Sequence, residues 1–155
     1  MAARLDGLEL IEIRHALEDL NAAFTRHLDH GEIEALVDLF TADAVYTHGP
    51  RRSVGRAEIE ALFRKRAAGG PRTSRHLYSG LRLSIEEAGR ASGHCVCLSF
   101  AQDGSPPLPA TPFLVADFHD VYVRCDDGRW RFAERRITRI FVNSTNAGPF
   151  GQAAQ

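Results

Sequence analysis

The sequence predicts an α+β fold, with helices gathered in the N-terminal half and an antiparallel sheet in the C-terminal half. Three observations predict it. Leu10, Ile13, Leu17, Leu20 and Phe24 recur at three- and four-residue spacing, the apolar stripe of one helix over about residues 6–29. Beyond it the pattern changes to shorter strand-like runs at about 73–86, 91–102, 112–125 and 129–142. Asp126-Asp127-Gly128 joins the last two as a hairpin signal. Helices segregated from a run of neighbouring strands mean α+β.

Each element has its own warrant. Gly31 closes the first helix, as a glycine at a helix end does. A short second helix follows, with Ile33, Leu36, Val37, Leu39 and Phe40 as its apolar side. Residues 44–48 read as a short strand ended by Gly49-Pro50. Gly55 opens a third helix that buries Ile59, Leu62 and Phe63, and Gly69-Gly70-Pro71 stops it. The loop at 103–111 carries Pro106, Pro107 and Pro109, which cannot sit in a central ladder. Residues 1–142 read as a single domain, and the polar, glycine-containing stretch 143–155 as a loose tail.

Composition narrows the function classes. With 155 residues the chain suits one domain, large enough to form a core without disulfides. A net charge of -1 offers no basic field for a phosphate backbone, so no nucleic-acid partner is expected. Arg4, Asp6 and Glu9 interrupt any apolar leader, and no run approaches the roughly 20 apolar residues of a membrane span. Cys95, Cys97 and Cys125 are an odd set without metal spacing, read as small buried thiols, with Cys95 and Cys97 on opposite strand faces. A cytoplasmic protein without a membrane partner is the expectation.

Particular segments carry a resemblance. Leu28-Asp29-His30-Gly31-Glu32 and Leu39-Phe40-Thr41-Ala42-Asp43-Ala44-Val45-Tyr46 look like the N-terminal signature of the SnoaL-like family, within the nuclear transport factor two-like superfamily. Gly55-Arg56-Ala57-Glu58-Ile59, Thr73-Ser74-Arg75-His76 and Gly128-Arg129-Trp130-Arg131-Phe132 resemble its third helix, histidine strand and last hairpin. The resemblance implies a cone in which three N-terminal helices pack on a curved, mostly antiparallel sheet around a small-molecule pocket. The family includes polyketide cyclases, scytalone dehydratase, bile-acid dehydratases, ketosteroid isomerase and a dehydrochlorinase. It also implies a homodimer or homotrimer, and proton transfer with no metal and no organic cofactor.

In the dehydratase-like members an Asp ending the first long helix partners a His on the first long strand, and the matching positions are Asp29 and His76. An Asp–His pair makes a general base, because the carboxylate fixes the tautomer and stabilises the imidazolium. Spacing alone favours Asp29 as a solvated carboxylate and His76 as a strand histidine bonded to backbone, and the family position reverses both readings. Leu77, Leu81, Leu83 and Ile85 share the face opposite His76 by strict alternation, unless a bulge near Ser79-Gly80 intervenes.

Other positions complete the candidate pocket. Phe24 stands where bile-acid dehydratase-like members carry a tyrosine, and Cys97 and Ser99 where relatives place another acid or histidine. Tyr46 and His48 alternate onto one strand face, and Arg135 matches a position where relatives carry an anion-contacting arginine. His27, Asp29 and His30 diverge around one helix and make a poor metal site. The chemistry expected is a lyase or isomerase acting on a small, largely apolar, even polycyclic substrate. A non-catalytic binding module, or a small subunit resembling those of ring-hydroxylating dioxygenases, stands as the alternative.

Overall fold

The computed structural model describes residues 5–144. Its first helix, α1 (Gly7–His30), begins at an Asp6 cap whose carboxylate accepts from the Glu9 N–H while the Glu9 carboxylate accepts from the Asp6 N–H. It ends at Gly31 in the left-handed region, φ 68° and ψ 26°. Ile13, Leu17, Leu20 and Phe24 are its buried stripe. A short helix α2 (Ile33–Asp38) and a strand β1 (Phe40–His48) follow. Phe40 therefore starts the strand instead of continuing the second helix, and it stays buried all the same.

Gly49-Pro50 does not simply end β1 but turns the chain back into β2 (Arg51–Val54), paired antiparallel to it. Charged Arg51 and Arg52 gave this edge strand no apolar pattern to read. Then come α3 (Arg56–Ala67), β3 (Arg72–Glu87), β4 (Arg90–Asp103), β5 (Leu114–Arg124) and β6 (Trp130–Val142). The four long strands match the expected runs within one or two residues at each end. They form one curved sheet in the order β2-β1-β6-β5-β4-β3, antiparallel except where β1 runs parallel to β6. α1 lies against β3 and β6, and α3 against β1 and β2, so the helices close one face of the sheet.

Two details of register place the site. Ser79 pairs with Val96 but Arg82 pairs with His94, so Gly80 and Leu81 together oppose Cys95, with Gly80 at φ 68°. This β-bulge inserts one residue and inverts the inside–outside parity of β3. Ser74, His76 and Tyr78 face inward before it, Leu81, Leu83 and Ile85 after it, and Leu77 is left outside at 54% exposure. Cys95 and Cys97 both point inward, correcting the expectation of opposite faces: residues two apart on a strand share a face. Among the described residues no helix is long and apolar enough to cross a membrane. The tail expected at 143–155 lies, from residue 145 onward, outside the described residues.

Candidate active site

The last turn of α1 and the start of β3 bring Asp29 to His76. The Asp29 Oδ1 lies 2.6 Å from the His76 Nδ1, with the side chains 6% and 12% exposed respectively. The same carboxylate accepts from the Ser74 hydroxyl at 2.8 Å and, through Oδ2, from the His76 backbone N–H at 2.9 Å. Burial alone would raise its pKa. The His76 ring and backbone bonds, the imidazolium charge and the Ser74 bond outweigh burial and hold the carboxyl below its ordinary value. An ionised carboxylate only accepts, so the Nδ1 carries a hydrogen, and in the neutral ring the lone pair sits on the Nε2. No described residue hydrogen-bonds that Nε2.

His76 lines a cavity between the helices and the concave sheet face. The outer part is walled by Leu62, Phe63, Phe113 and Leu114 together with Arg51, Arg66, Arg72 and Arg139. An inner part shares Tyr46, His48, Arg66, His76 and Ser99 with it and ends on Phe24, Cys97 and Phe118. Asp29 is outside this lining, behind the imidazole, and borders a separate groove with Leu28 and Arg66. It can orient and charge-balance the ring without touching a ligand in the cavity.

Five of the other sequence-selected residues also reach this wall. Tyr46 is buried, which pushes its phenol up to about 12, and no described residue hydrogen-bonds its hydroxyl. The His48 Nε2 is buried without a partner. Burial, then the charges of Arg139, Arg51, Arg66 and His76, push that imidazole down to about 4, so it is neutral near pH 7. The Ser99 hydroxyl makes a long 3.4 Å bond to the Leu114 carbonyl. Burial raises the Cys97 thiol to about 12, far from a thiolate. Phe24 is packed edge-on against Phe40, Phe63, Phe118 and Phe132, an apolar end to the cavity.

Arg135 is not brought to the cavity. It is paired with Asp120, its register partner on β5, through two bonds of 2.8 Å, and the two side chains are 1% and 0% exposed. Its guanidinium also donates to the Asn21 amide oxygen and stacks on Phe132, Phe24 and Phe118 at 4.0, 4.3 and 4.8 Å from their centroids. The Asp120 carboxylate accepts in turn from the Tyr122 hydroxyl at 2.8 Å, and the Asn21 amide donates to that hydroxyl at 3.0 Å. Burial would strip the guanidinium of its proton, but the Asp120 charge outweighs it and raises the pKa. A register shift on this hairpin between Val121 and Tyr122 lets both Phe132 and Arg135 face inward.

Arg66 was missed by sequence reasoning, although the signal was there. It follows Ile59 and Phe63 at i+7 and i+3, a charged residue on an apolar helical stripe. The helix-end residues His27, Asp29 and His30 point to different partners, namely Glu32, His76 and the Arg26 carbonyl. A different cluster lies on the outer sheet face, where ligand atoms of His94, Asp117 and His119 come within 4.8 Å of one another. A single ion with ligand bonds near 2.1 Å needs them within about 4.2 Å, so the rings would have to move inward.

The comparisons agree with this architecture. The model of the SnoaL-like domain family matches residues 9–136. A candidate scytalone dehydratase from Novosphingobium aromaticivorans superposes with a TM-score of 0.77 at 22% identity, over 94% of this chain and 97% of that one. LinA superposes with a TM-score of 0.76 at 21% identity, over 96% and 98%. ActVI-ORFA from Streptomyces coelicolor gives 0.72 at 21%, over 82% and 97%. At these identities the neighbours establish the fold alone, and a comparison with curated proteins finds no match. The chain belongs to the SnoaL-like domain family.

Proposed function

We propose that the protein is a lyase or isomerase in which His76 moves a proton and Asp29 positions it, with no metal or organic cofactor in the step. One observation carries the reading: an ionised carboxylate is held by three donors, one of them the Nδ1 of a cavity-lining histidine whose Nε2 meets no described partner. The Nε2 lone pair takes a proton from a carbon acid. In an elimination the C–H electron pair forms a C=C bond as the leaving group departs with its own pair, and the imidazolium gives the proton to the departing hydroxyl, releasing water. In an isomerisation no group leaves: the electron pair is delocalised as an enolate and the imidazolium returns the proton to a second carbon. Asp29 stabilises the imidazolium between the two transfers. The Leu62, Phe63, Phe113 and Leu114 wall favours a largely apolar substrate body. Self-association through the outer sheet face, where Leu77 and Val96 are exposed, belongs to the same reading.

The test begins with nitrogen-15 NMR of the imidazole. His76 is expected in its Nδ1–H tautomer, and an Nε2–H tautomer would sink the base assignment. With a panel of small carbon acids in deuterated water, His76→Asn and Asp29→Asn are expected to lower exchange or elimination roughly 10²–10⁴-fold. Turnover unchanged in His76→Asn rejects the mechanism. A binding module without chemistry is favoured by Phe24, which puts no hydroxyl at the cavity end. Saturable ligand binding with no exchange on any panel member selects it.

A further inference from the structure

The cavity wall carries a cation for which the described residues supply no counter-charge in contact. Arg66 occupies the last turn of α3, and its side chain borders both parts of the cavity. Among the described residues no hydrogen bond or ion pair engages its guanidinium. Tyr46 and Asp29 act on it only through space, and Arg72 repels it. Burial disfavours its charged form. The contrast with its neighbours is instructive: Arg72 reaches Asp103 at 2.7 Å, and Asp29 is already bonded to His76.

Among the described residues no aspartate or glutamate lines the outer cavity, while four arginines do. Two further groups point the same way. The Nε2 of His48 is buried without a partner, and the Tyr46 hydroxyl has none among the described residues. A half-buried guanidinium beside unpaired polar groups is costly unless something negative joins them, and a carboxylate matches the guanidinium fork. The opposite wall is apolar, with Leu62, Phe63, Phe113 and Leu114.

We propose that this cavity is an anion site whose ligand is a small amphiphilic carboxylate, with the carboxylate on Arg66 and an aliphatic or aromatic body against the apolar wall. The Tyr46 hydroxyl and the His48 Nε2–H donate to the same carboxylate. The proposal names the substrate class of the cavity assigned above and rests on that reading for its catalytic meaning. Binding of an inert carboxylate nevertheless needs no proton transfer, so the two claims can fail separately.

The probes are benzoate and its uncharged isostere benzamide, titrated calorimetrically into the full-length protein. A hydrogen bond to a charged group corresponds to a preference of about tenfold or more for benzoate. Arg66→Gln is expected to abolish that preference, and Arg66→Lys to keep part of it. His76→Asn is expected to keep it while losing any exchange chemistry. Should Arg66→Gln not fold, the wild-type melting temperature decides, rising with benzoate and not with benzamide. Equal affinities, no saturable benzoate binding in the millimolar range, or an intact preference in folded Arg66→Gln each overturn the proposal. No benzoate preference in the wild-type protein, alongside His76-dependent exchange, overturns the anion site alone. Intact preference without exchange overturns only the catalytic reading.

Discussion

The Asp120–Arg135 pair offers the sharpest test of which arginine is structural. Both side chains are essentially sealed from water, at 0% and 1% exposure, and two 2.8 Å bonds join them. Asp120→Asn keeps an acceptor and the hydrogen bond from Tyr122 but leaves a buried guanidinium without its countercharge. Arg135→Met leaves a buried carboxylate and removes three ring contacts at 4.0–4.8 Å. Breaking a buried pair from one side costs about 3–5 kcal/mol. The double variant has no orphaned charge. Its remaining cost is the Asn21 amide oxygen, which loses its donor, at about 1–3 kcal/mol. The double variant should therefore lose less than the sum of the singles, with a coupling of at least about 2 kcal/mol.

Urea unfolding followed through Trp130, the chain's single tryptophan and a buried one, reads these differences directly. Native stabilities are about 5–15 kcal/mol, so each single variant should show a plainly lower midpoint. Single variants each losing under about 1 kcal/mol, or a double variant equal to their sum, would refute the argument that a desolvated ion pair anchors the core. Benzoate preference should survive in any of these variants that folds, because Arg135 does not line the cavity.

Other perturbations have equally definite outcomes. The His48 value of about 4 lies below its ordinary 6.5, so the unfolded chain takes up this proton first as pH falls. Its share of stability is complete above about 6.5 and is lost between 6.5 and 4, by up to about 1.4 kcal/mol per pH unit. His48→Gln should flatten stability across that window, and parallel profiles for the two proteins would contradict it. A Cβ at Gly93 would stand 2.8 Å from the Tyr122 ring and 2.9 Å from its hydroxyl, so Gly93→Ala should lower stability by about 1–3 kcal/mol in thermal melts. Burial lifts the Cys95 and Cys97 thiols to about 11 and 12. Ellman's reagent at pH 8 should label Cys125 rapidly and the other two only after denaturation; rapid labelling of all three would argue against a closed core.

How much could be read from the chain depended on whether the signal was local. The α1 stripe, its glycine stop and the four long strands each depend on neighbours a few residues away, and they were legible. The pairing of Asp29 with His76 spans 47 residues, and no periodicity encodes it. Family position suggested it, and the Gly80 bulge made it geometrically achievable. Alternation alone put His76 and Leu81 on opposite faces; one extra residue in β3 puts them on the same side. Arg135 failed for a related reason. Its strand position was readable, but its partners Asp120, Asn21 and three phenylalanines come from other elements, and they decide that its charge is absorbed in the core.

The two inward arginines make the argument about function more general. Arg135 is sealed from water and Arg66 is half-buried, and a guanidinium cannot neutralise itself as readily as a carboxylate or an amine does. Its charge must therefore be met. Around Arg135 the chain supplies every group needed, a bidentate carboxylate, an amide oxygen and aromatic faces, and such closure is the mark of a structural residue. Around Arg66 the described residues supply an apolar wall, an unpartnered imidazole nitrogen and a phenol, with the nearest carboxylate already committed to His76. A fold that completes the charge of Arg135 and leaves that of Arg66 open on the cavity wall is what the proposed anion site beside His76 requires. Under the two proposals the same cavity selects for charge at Arg66 and for reactivity at His76, two properties that substitutions at the two positions should separate.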